Sequence, residues 1–387
     1  MEQRRKNLTQ LFIPICLETL LYMLSGMVDT LMLSSVNDQA VGAVGTANTY
    51  IGIFIIMFSV ISSGMVAVMT QNIGAGRPGV AYQARQLGLA FNAVLGVIMS
   101  LFLSLGAGTI LSGVGVADAL MQPAKTYLQI VGGFCILNAL IPICSSYLRA
   151  FGFSKEPLYA SIIGNVINFC LNAFFLFVLH KGVAGVATAT VISRIINLVI
   201  VVLLGAVLVK AKQHPERESN RAVMGQIIRI GLPSACETAI YNVSMTLVIR
   251  FLNQMDAQGL NVTARSYTMQ ITNFSYCVGA ALAQANAIMT GWHIGAKEYD
   301  ACDRGTKKAA VIGVIVAVIL ETVFTLCSGW IMQLFSKDPQ MVSLVGKLLA
   351  IDIVLEIGRV TNLVYGQALK TSGDAVFPVV MGACFMI

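Results

Sequence analysis

Pro14-Ile-Cys-Leu-Glu18-Thr19-Leu-Leu-Tyr22-Met-Leu-Ser25 returns later in the chain as Pro233-Ser-Ala-Cys-Glu237-Thr238-Ala-Ile-Tyr241-Asn-Val-Ser244, at an offset of 219 residues. Pro, Glu, Thr, Tyr and Ser recur in one register, and each copy sits in an apolar run long enough to cross a bilayer. Farther on, Met69-Thr70 with Ile73-Gly74-Ala75 is echoed by Met289-Thr290 with Ile294-Gly295-Ala296, and Tyr147 to Ser154 by Tyr365 to Ser372. The chain is therefore read as a duplication of a membrane-embedded unit.

Composition agrees. The 387 residues are 57% hydrophobic and only 11% charged, with a mean hydropathy of +0.79, which excludes a soluble globule and a disordered chain. Apolar runs separated by short polar breaks predict spans near 9 to 33, 41 to 70, 87 to 113, 125 to 148, 157 to 179, 184 to 209, 226 to 252, 264 to 290, 308 to 332 and 341 to 366. An eleventh starts near Val376 and is cut at Ile387. The expected fold is an all-α polytopic membrane protein of two six-helix bundles, about 12 helices in all, with the last one and a half lying beyond Ile387. Residues 1–212 form the first lobe, 213–225 a polar cytoplasmic linker and 226–387 the second lobe.

The net charge of +7 reads as topology, not as nucleic-acid binding. Arg4, Arg5, Lys6, Arg77, Arg85, Arg149, Lys155, Lys210, Lys212 and their second-half counterparts through Lys370 fall in alternate breaks, against only Lys125, Lys181, Arg265 and Lys337 in the others. That places the N-terminus in the cytoplasm. Because each half starts on the same side, the repeats run parallel, related by an axis along the membrane normal, with a cavity between them. The nine cysteines lie mostly inside apolar runs without metal-like spacing and read as free thiols.

Charges inside spans cost at least about 2.5–3.5 kcal/mol each and need a reason. Asp29 has no basic residue within a helical turn on its own span and is the leading functional acid. Asn168 and Asn172, four apart, share a helix face at similar depth, and Thr190 reaches that level from the next span. One carboxylate, two amide oxygens and a hydroxyl suit a hard monovalent cation, and the carboxylate alone suits a proton; hydrogen-bonded helix contacts are the other use of the Asn and Thr side chains. Position 248, the equivalent of Asp29 under the repeat, is valine, so this site belongs to the first half alone. Glu18 and Glu237 each follow a helix-interior proline by four residues and suit either the kink or a substrate. Asp352, Glu356 and Arg359 lie on one stripe of the tenth span, where Glu356 and Arg359 can neutralise each other and leave Asp352, facing Glu237 or Glu321, as the freer acid. No phosphate-cradling loop, metalloprotease motif or nucleophile triad is present, so no enzyme is expected and energy must come from an ion gradient.

Pro14-x-x-x-Glu18 leading to Val28-Asp29-Thr30, Gln71-Asn-Ile-Gly74-Ala-Gly76-Arg77 and Gly182-Val-Ala-Gly185-Val-Ala-Thr-Ala-Thr190 together resemble the multidrug and toxic compound extrusion (MATE) family. Glu356-x-Gly358-Arg359-x-x-Asn362 followed by Ala368-Leu-Lys-Thr-Ser-Gly-Asp374-Ala-Val-Phe-Pro378 is similar to one bacterial subgroup. The resemblance implies a monomeric antiporter of a bacterial inner membrane, in contact with lipid, that exports small organic cations or drugs in exchange for Na+ or H+, without a tightly bound cofactor. It also implies a coupling-ion site in the N-terminal lobe, whose positions fall on Asp29, Asn168, Asn172 and Thr190. Asn172 stands where the family has a second acid, which leaves sodium and proton both open. Glu18, Glu237, Asp352 and Glu356 are the expected acids of the substrate cavity. A lipid-linked saccharide flippase is the alternative, disfavoured because the mid-span charges are six acidic against three basic.

Overall fold

The computed structural model describes residues 6–35, 38–113, 116, 118–209, 216–255, 260–333 and 338–386. Arg4, Arg5, Lys210, Lys212, Lys337 and the linker residues 213–215 lie outside the described residues. The first half contains α1 (Leu8–Ser34), α2 (Asp38–Gly74), α3 (Pro78–Gly113), α4 (Asp118–Tyr127), α5 (Ile136–Ala150), α6 (Lys155–Ala173) and α7 (Gly182–Leu208). The second contains α8 (Asn220–Met255), α9 (Leu260–Gly295), α10 (Tyr299–Leu326), the short α11 (Ser328–Met332), α12 (Pro339–Ser372) and α13 (Val376–Met386). The fold is all-α, and the spans read from hydropathy all appear.

Several boundaries differ from the sequence reading, among them the start of α10 at Tyr299, and three of the differences have a local reason. First, α3 starts at Pro78, well before residue 87, because Gln83 is buried against the second half and Arg85 stacks 4.6 Å above the Tyr147 ring. Polar residues that look like a break are helical where packing satisfies them. Second, the fourth span is bent by 43° between α4 and α5, through a π-helical turn at Leu128–Gly132. There the Ile136 N–H leaves the helical ladder and donates to Ser100 Oγ at 3.0 Å. Third, α8 begins at Asn220, so the end of the expected 213–225 linker is helical. Gln83 holds that segment through Glu218 O (2.7 Å) and Asn220 Oδ1 (2.5 Å).

Six helices and the bent α4–α5 pair are long and apolar enough to cross a membrane. α8, α9 and α12, of 36, 36 and 34 residues, exceed the span of a bilayer core but are less apolar, because they carry the polar side chains that face other helices. Pro14, inside α1, cannot bond the carbonyl of Gln10, and Ser154 Oγ from the start of α6 donates to that oxygen at 3.0 Å. The carbonyl that the proline leaves without its helical partner is thereby satisfied by protein, as a membrane interior requires.

The halves meet at the end where most lysines and arginines lie, here called the basic end. α2 crosses α8 and α9 there, with backbones so close that a Cβ on Gly74 would collide with the Trp292 carbonyl and one on Gly295 with the Gln71 carbonyl. Gly74 and Gly295 are equivalent under the repeat, as are Gln71 and Trp292, so the contact is reciprocal in the manner of a two-fold interface. The same two side chains extend the symmetry: Gln71 Nε2 donates to Thr371 O at the end of α12 (2.5 Å), and Trp292 Nε1 to Ala150 O at the end of α5 (2.9 Å).

This crossing predicts that Gly295→Val destabilises the protein by about 1–3 kcal/mol through overpacking, read as a lower thermal midpoint of the purified protein. Gly225→Val, at a position with nothing within 4 Å of the new Cβ, is the control and should shift the protein by no more than about 0.5 kcal/mol.

Candidate functional site

α1 packs along α6, and this brings Asp29 to the Asn168/Asn172 face. Asn172 Nδ2 donates to Asp29 Oδ1 at 2.6 Å and lies 3.2 Å from Asn168 Oδ1. Asn168, Asn172 and Thr190 are buried, and Asp29 is half-buried at the wall of a cavity of about 640 Å³ inside the first half. Thr190 Oγ1 spends its hydrogen on Val186 O (2.9 Å), which leaves its lone pairs free. The carbonyl oxygen of Asn172 is buried without a hydrogen-bond partner. A π-helical turn, Phe174–Val178, follows immediately after the Asn168/Asn172 turn.

Physically, Asn172 plays two parts. Its NH2 holds the Asp29 carboxylate in place, while its orphan oxygen is an acceptor waiting for a positive group. Asn172 thus links Asp29 to Asn168, while Thr190 lines the same cavity from α7.

The acids expected to line a substrate cavity are less free than the sequence suggested. Glu18 is paired with Arg149 at 2.5 Å, and Arg149 also donates to Gln284 of the second half at 3.0 Å. Glu237 is paired with Lys370 at 2.6 Å. Arg359 lies 2.6 Å from Glu356 and 3.4 Å from Asp352, so Asp352 is not the freer acid of its stripe. That description fits Glu321 of α10. It is fully buried, has no ion-pair partner among the described residues, and gathers with Asp352 and Glu356 so that one oxygen of each lies within 4.8 Å of the others. Glu237 is not part of this group.

Arg194 of α7 lines the same cavity as Asp29, near enough to act on its carboxylate, and has no carboxylate within 4.0 Å among the described residues. With Glu18, Asp29, Arg149 and Arg194 on its wall, the cavity carries balanced formal charge. The sequence placed Glu321 opposite Asp352 without marking it as the unpaired acid, and it did not signal the pairings to Arg149 and Lys370. Their partners lie more than 130 residues away, where no local spacing signals them.

The family model described as MatE matches residues 14–174 and 233–387, one match in each half. Over 379 residues the chain is 33% identical to the "Uncharacterized transporter YisQ" of Bacillus subtilis (strain 168), covering 96% of this chain and 83% of that protein. It is 22% identical over 391 residues to the "Probable multidrug resistance protein NorM" of Thermotoga maritima, covering 97% and 82%. Among solved structures, the crystal structure of MATE in the straight conformation superimposes with a TM-score of 0.89 at 18% identity, over 98% of this chain and 85% of that one.

Removing Arg359 strands two carboxylates beside a third that is already unpaired, so Arg359→Gln is expected to cost about 3 kcal/mol. Glu321→Gln removes a buried acid without taking away anyone's partner, and is expected to leave the thermal midpoint unchanged or raised. Thermal unfolding of the two purified variants checks both.

Proposed function

The chain belongs to the MatE family of membrane transporters, and from that premise we propose that it is a secondary antiporter that exports amphipathic organic compounds in exchange for a monovalent cation taken up at Asp29. The observation that carries this reading is the Asp29–Asn172 contact at 2.6 Å beside the unpartnered Asn172 carbonyl, on the wall of a cavity large enough for a drug-sized molecule. Asn168 and Thr190 are the further oxygen donors. The relatives named as multidrug resistance proteins support the substrate class.

The coupling follows from charge balance. A lone carboxylate on a partly dry wall is costly, and cation or proton binding removes that cost. The Asn172 amide keeps the carboxylate oriented in both states, so Asp29 switches charge without losing its anchor. Asn172 in place of a second acid, together with the nearby Arg194, lowers the negative charge of the site and favours a proton over sodium. Since Glu18, Glu237, Asp352 and Glu356 are all ion-paired, their carboxylates are not the primary attraction for a substrate cation. Apolar and aromatic contact in the cavity, which includes Tyr22, Tyr127, Ile51 and Ile141, supplies most of the affinity. A phosphate-linked saccharide needs several free cations, and Glu18 occupies Arg149. The protein sits in a bacterial cytoplasmic membrane as a monomer, with its basic end toward the cytoplasm; residues 1–212 and 226–387 are the two lobes that rock about their contact.

Proteoliposome efflux of ethidium under separate proton and sodium gradients tests this. Efflux driven by the proton gradient and abolished in Asp29→Asn, which preserves an oxygen for Asn172 to bond and so the fold, is the expected result. Efflux unaffected by the substitution, or absent with both gradients in the intact protein, overturns the reading. Asn172→Asp sets a second carboxylate beside Asp29 and is expected to tighten sodium binding about tenfold, measured as the sodium concentration for half-maximal flux.

A further inference from the structure

We propose that the basic end carries an anion site for a phosphate-bearing ligand, in a pocket that bridges the two halves. The pocket has a volume of about 570 Å³ and takes its walls from the end of α2, from α8, from the α9–α10 turn and from the end of α12. Arg77, Arg229 and Lys297 line it, with Gln226 as a further donor, and no carboxylate does among the described residues. Glu218 engages Arg77 at 2.5 Å, whereas Arg229 and Lys297 have no acidic partner within 4.0 Å among the described residues. Two unpaired cations of different geometry, one a planar fork and one a point charge, converging with a neutral donor on a concave surface, form a recognition set for a phosphate group.

An excess of positive charge at this end is a topological signature and by itself says nothing about ligands. Two further observations do. Lys297 has a left-handed backbone, φ 61°, at the turn that ends α9. The equivalent turn after α2 makes the same closing hydrogen bonds, with Gly76 N–H to Ile73 O and Arg77 N–H to Asn72 O matched by Lys297 N–H to Ile294 O and Glu298 N–H to His293 O. It uses Gly76, φ 74°, which adopts that conformation without penalty. A lysine therefore occupies a strained position where the other half has glycine. The second observation is that Arg229 stands where the first half has Gln10 under the offset that relates Pro14 to Pro233. Both departures from the repeat add a cation, and both lie in this one pocket. The two-fold-related place, with Gln10, Gly76 and Glu298, lacks them.

The pocket adjoins the seam between halves. Gln71, whose amide crosses to Thr371, and Gly295, whose backbone meets that of Gln71, are on its wall. A phosphate held by Arg229 and Lys297 of the second half against the end of α2 of the first adds contacts that exist only while the basic end is closed. Occupancy would stabilise that state over any in which the halves part there. The phosphate can come from an anionic lipid headgroup of the adjacent leaflet or from a soluble phosphate compound. The inference stands apart from the transport reading, since it concerns binding and not flux.

The test is the thermal midpoint of the purified full chain in nanodiscs of phosphatidylcholine alone, of phosphatidylcholine with phosphatidylglycerol, and of phosphatidylcholine with pyrophosphate in solution. The intact protein is expected to gain stability from at least one phosphate source. Lys297→Gly, which installs the residue of the equivalent turn, and Arg229→Gln are each expected to weaken the apparent affinity about tenfold, the ratio for one charge-assisted hydrogen bond. Lys155→Gln/Lys308→Gln removes two charges from the same end outside the pocket and should leave the gain intact. A gain from phosphatidylglycerol alone identifies a headgroup site, and a gain from pyrophosphate identifies a site for soluble ligand. No gain from either, or an equal loss in the Lys155/Lys308 control, overturns the proposal. Should the Arg229 variant fail to fold, Lys297→Gly decides alone.

Discussion

The crossing of α2 over α9, where Gly74 and Gly295 let each backbone rest on the other, is the contact on which the arrangement of the two halves depends. Two bundles in a membrane gain little from hydrophobic burial against each other, because lipid is as apolar as their side chains. Close backbone packing and hydrogen bonds must do that work instead. Here both are concentrated at one end. The reciprocal glycine contacts, the Gln71 and Trp292 bonds to Thr371 and Ala150, and the Arg149 bond to Gln284 hold the basic end closed. A buried apolar cluster that includes Ile61, Met65 and Ile73 of the first half and Ile227, Ile230 and Ile288 of the second surrounds these contacts, so parting the halves there also exposes apolar side chains.

The same economy governs the charges. Ion pairs from distant helices neutralise Glu18 and Glu237, so those acids mainly fix how helices pack, while Asp352 and Glu356 share the single guanidinium of Arg359 on their own helix. Two carboxyl groups escape this rule. Asp29 has only amide support and faces a cavity, and Glu321 has no ion-pair partner among the described residues and faces other acids. An unpaired carboxyl in such surroundings is a group whose charge state must change or be compensated. Asp29 combines that property with access to the cavity, which is why it is given the coupling role.

The architecture was legible in the sequence because apolar periodicity and the Pro14/Pro233 repeat are local signals. The approach of Asp29 to Asn172 and Asn168 could be read for a related reason: depth in a span follows from counting residues, and residues of similar depth on adjacent helices can meet. What could not be read is which charge neutralises which. Arg149 and Lys370 appear in the sequence as topology signals at the ends of spans, and only tertiary packing turns them toward Glu18 and Glu237. The Asp352 stripe illustrates the limit further. Spacing correctly aligned Arg359 with Glu356, but a guanidinium has two ends, and the second reaches Asp352. The early start of α3 was hidden because Gln83 and Arg85 look like a solvated break until their partners are known.

Duplication offers a way to separate scaffold from chemistry within a single chain. Positions that two halves share serve the common architecture. Pro14 and Pro233 sit inside equivalent helices, Glu18 and Glu237 each bind a cation from the end of the fourth span of their half, and Gly74 and Gly295 make one reciprocal contact. Positions where the halves differ in charge have no such symmetric duty. Asp29 faces Val248 across the repeat, Lys297 faces Gly76 and Arg229 faces Gln10. Asp29 and Lys297 each carry a cost that the counterpart avoids, a desolvated carboxylate in one case and a strained backbone in the other, and a cost borne in one half only is what an asymmetric ligand imposes on a symmetric frame. The two places where such departures gather, the Asp29 cavity and the pocket at the basic end, therefore stand on the same physical footing.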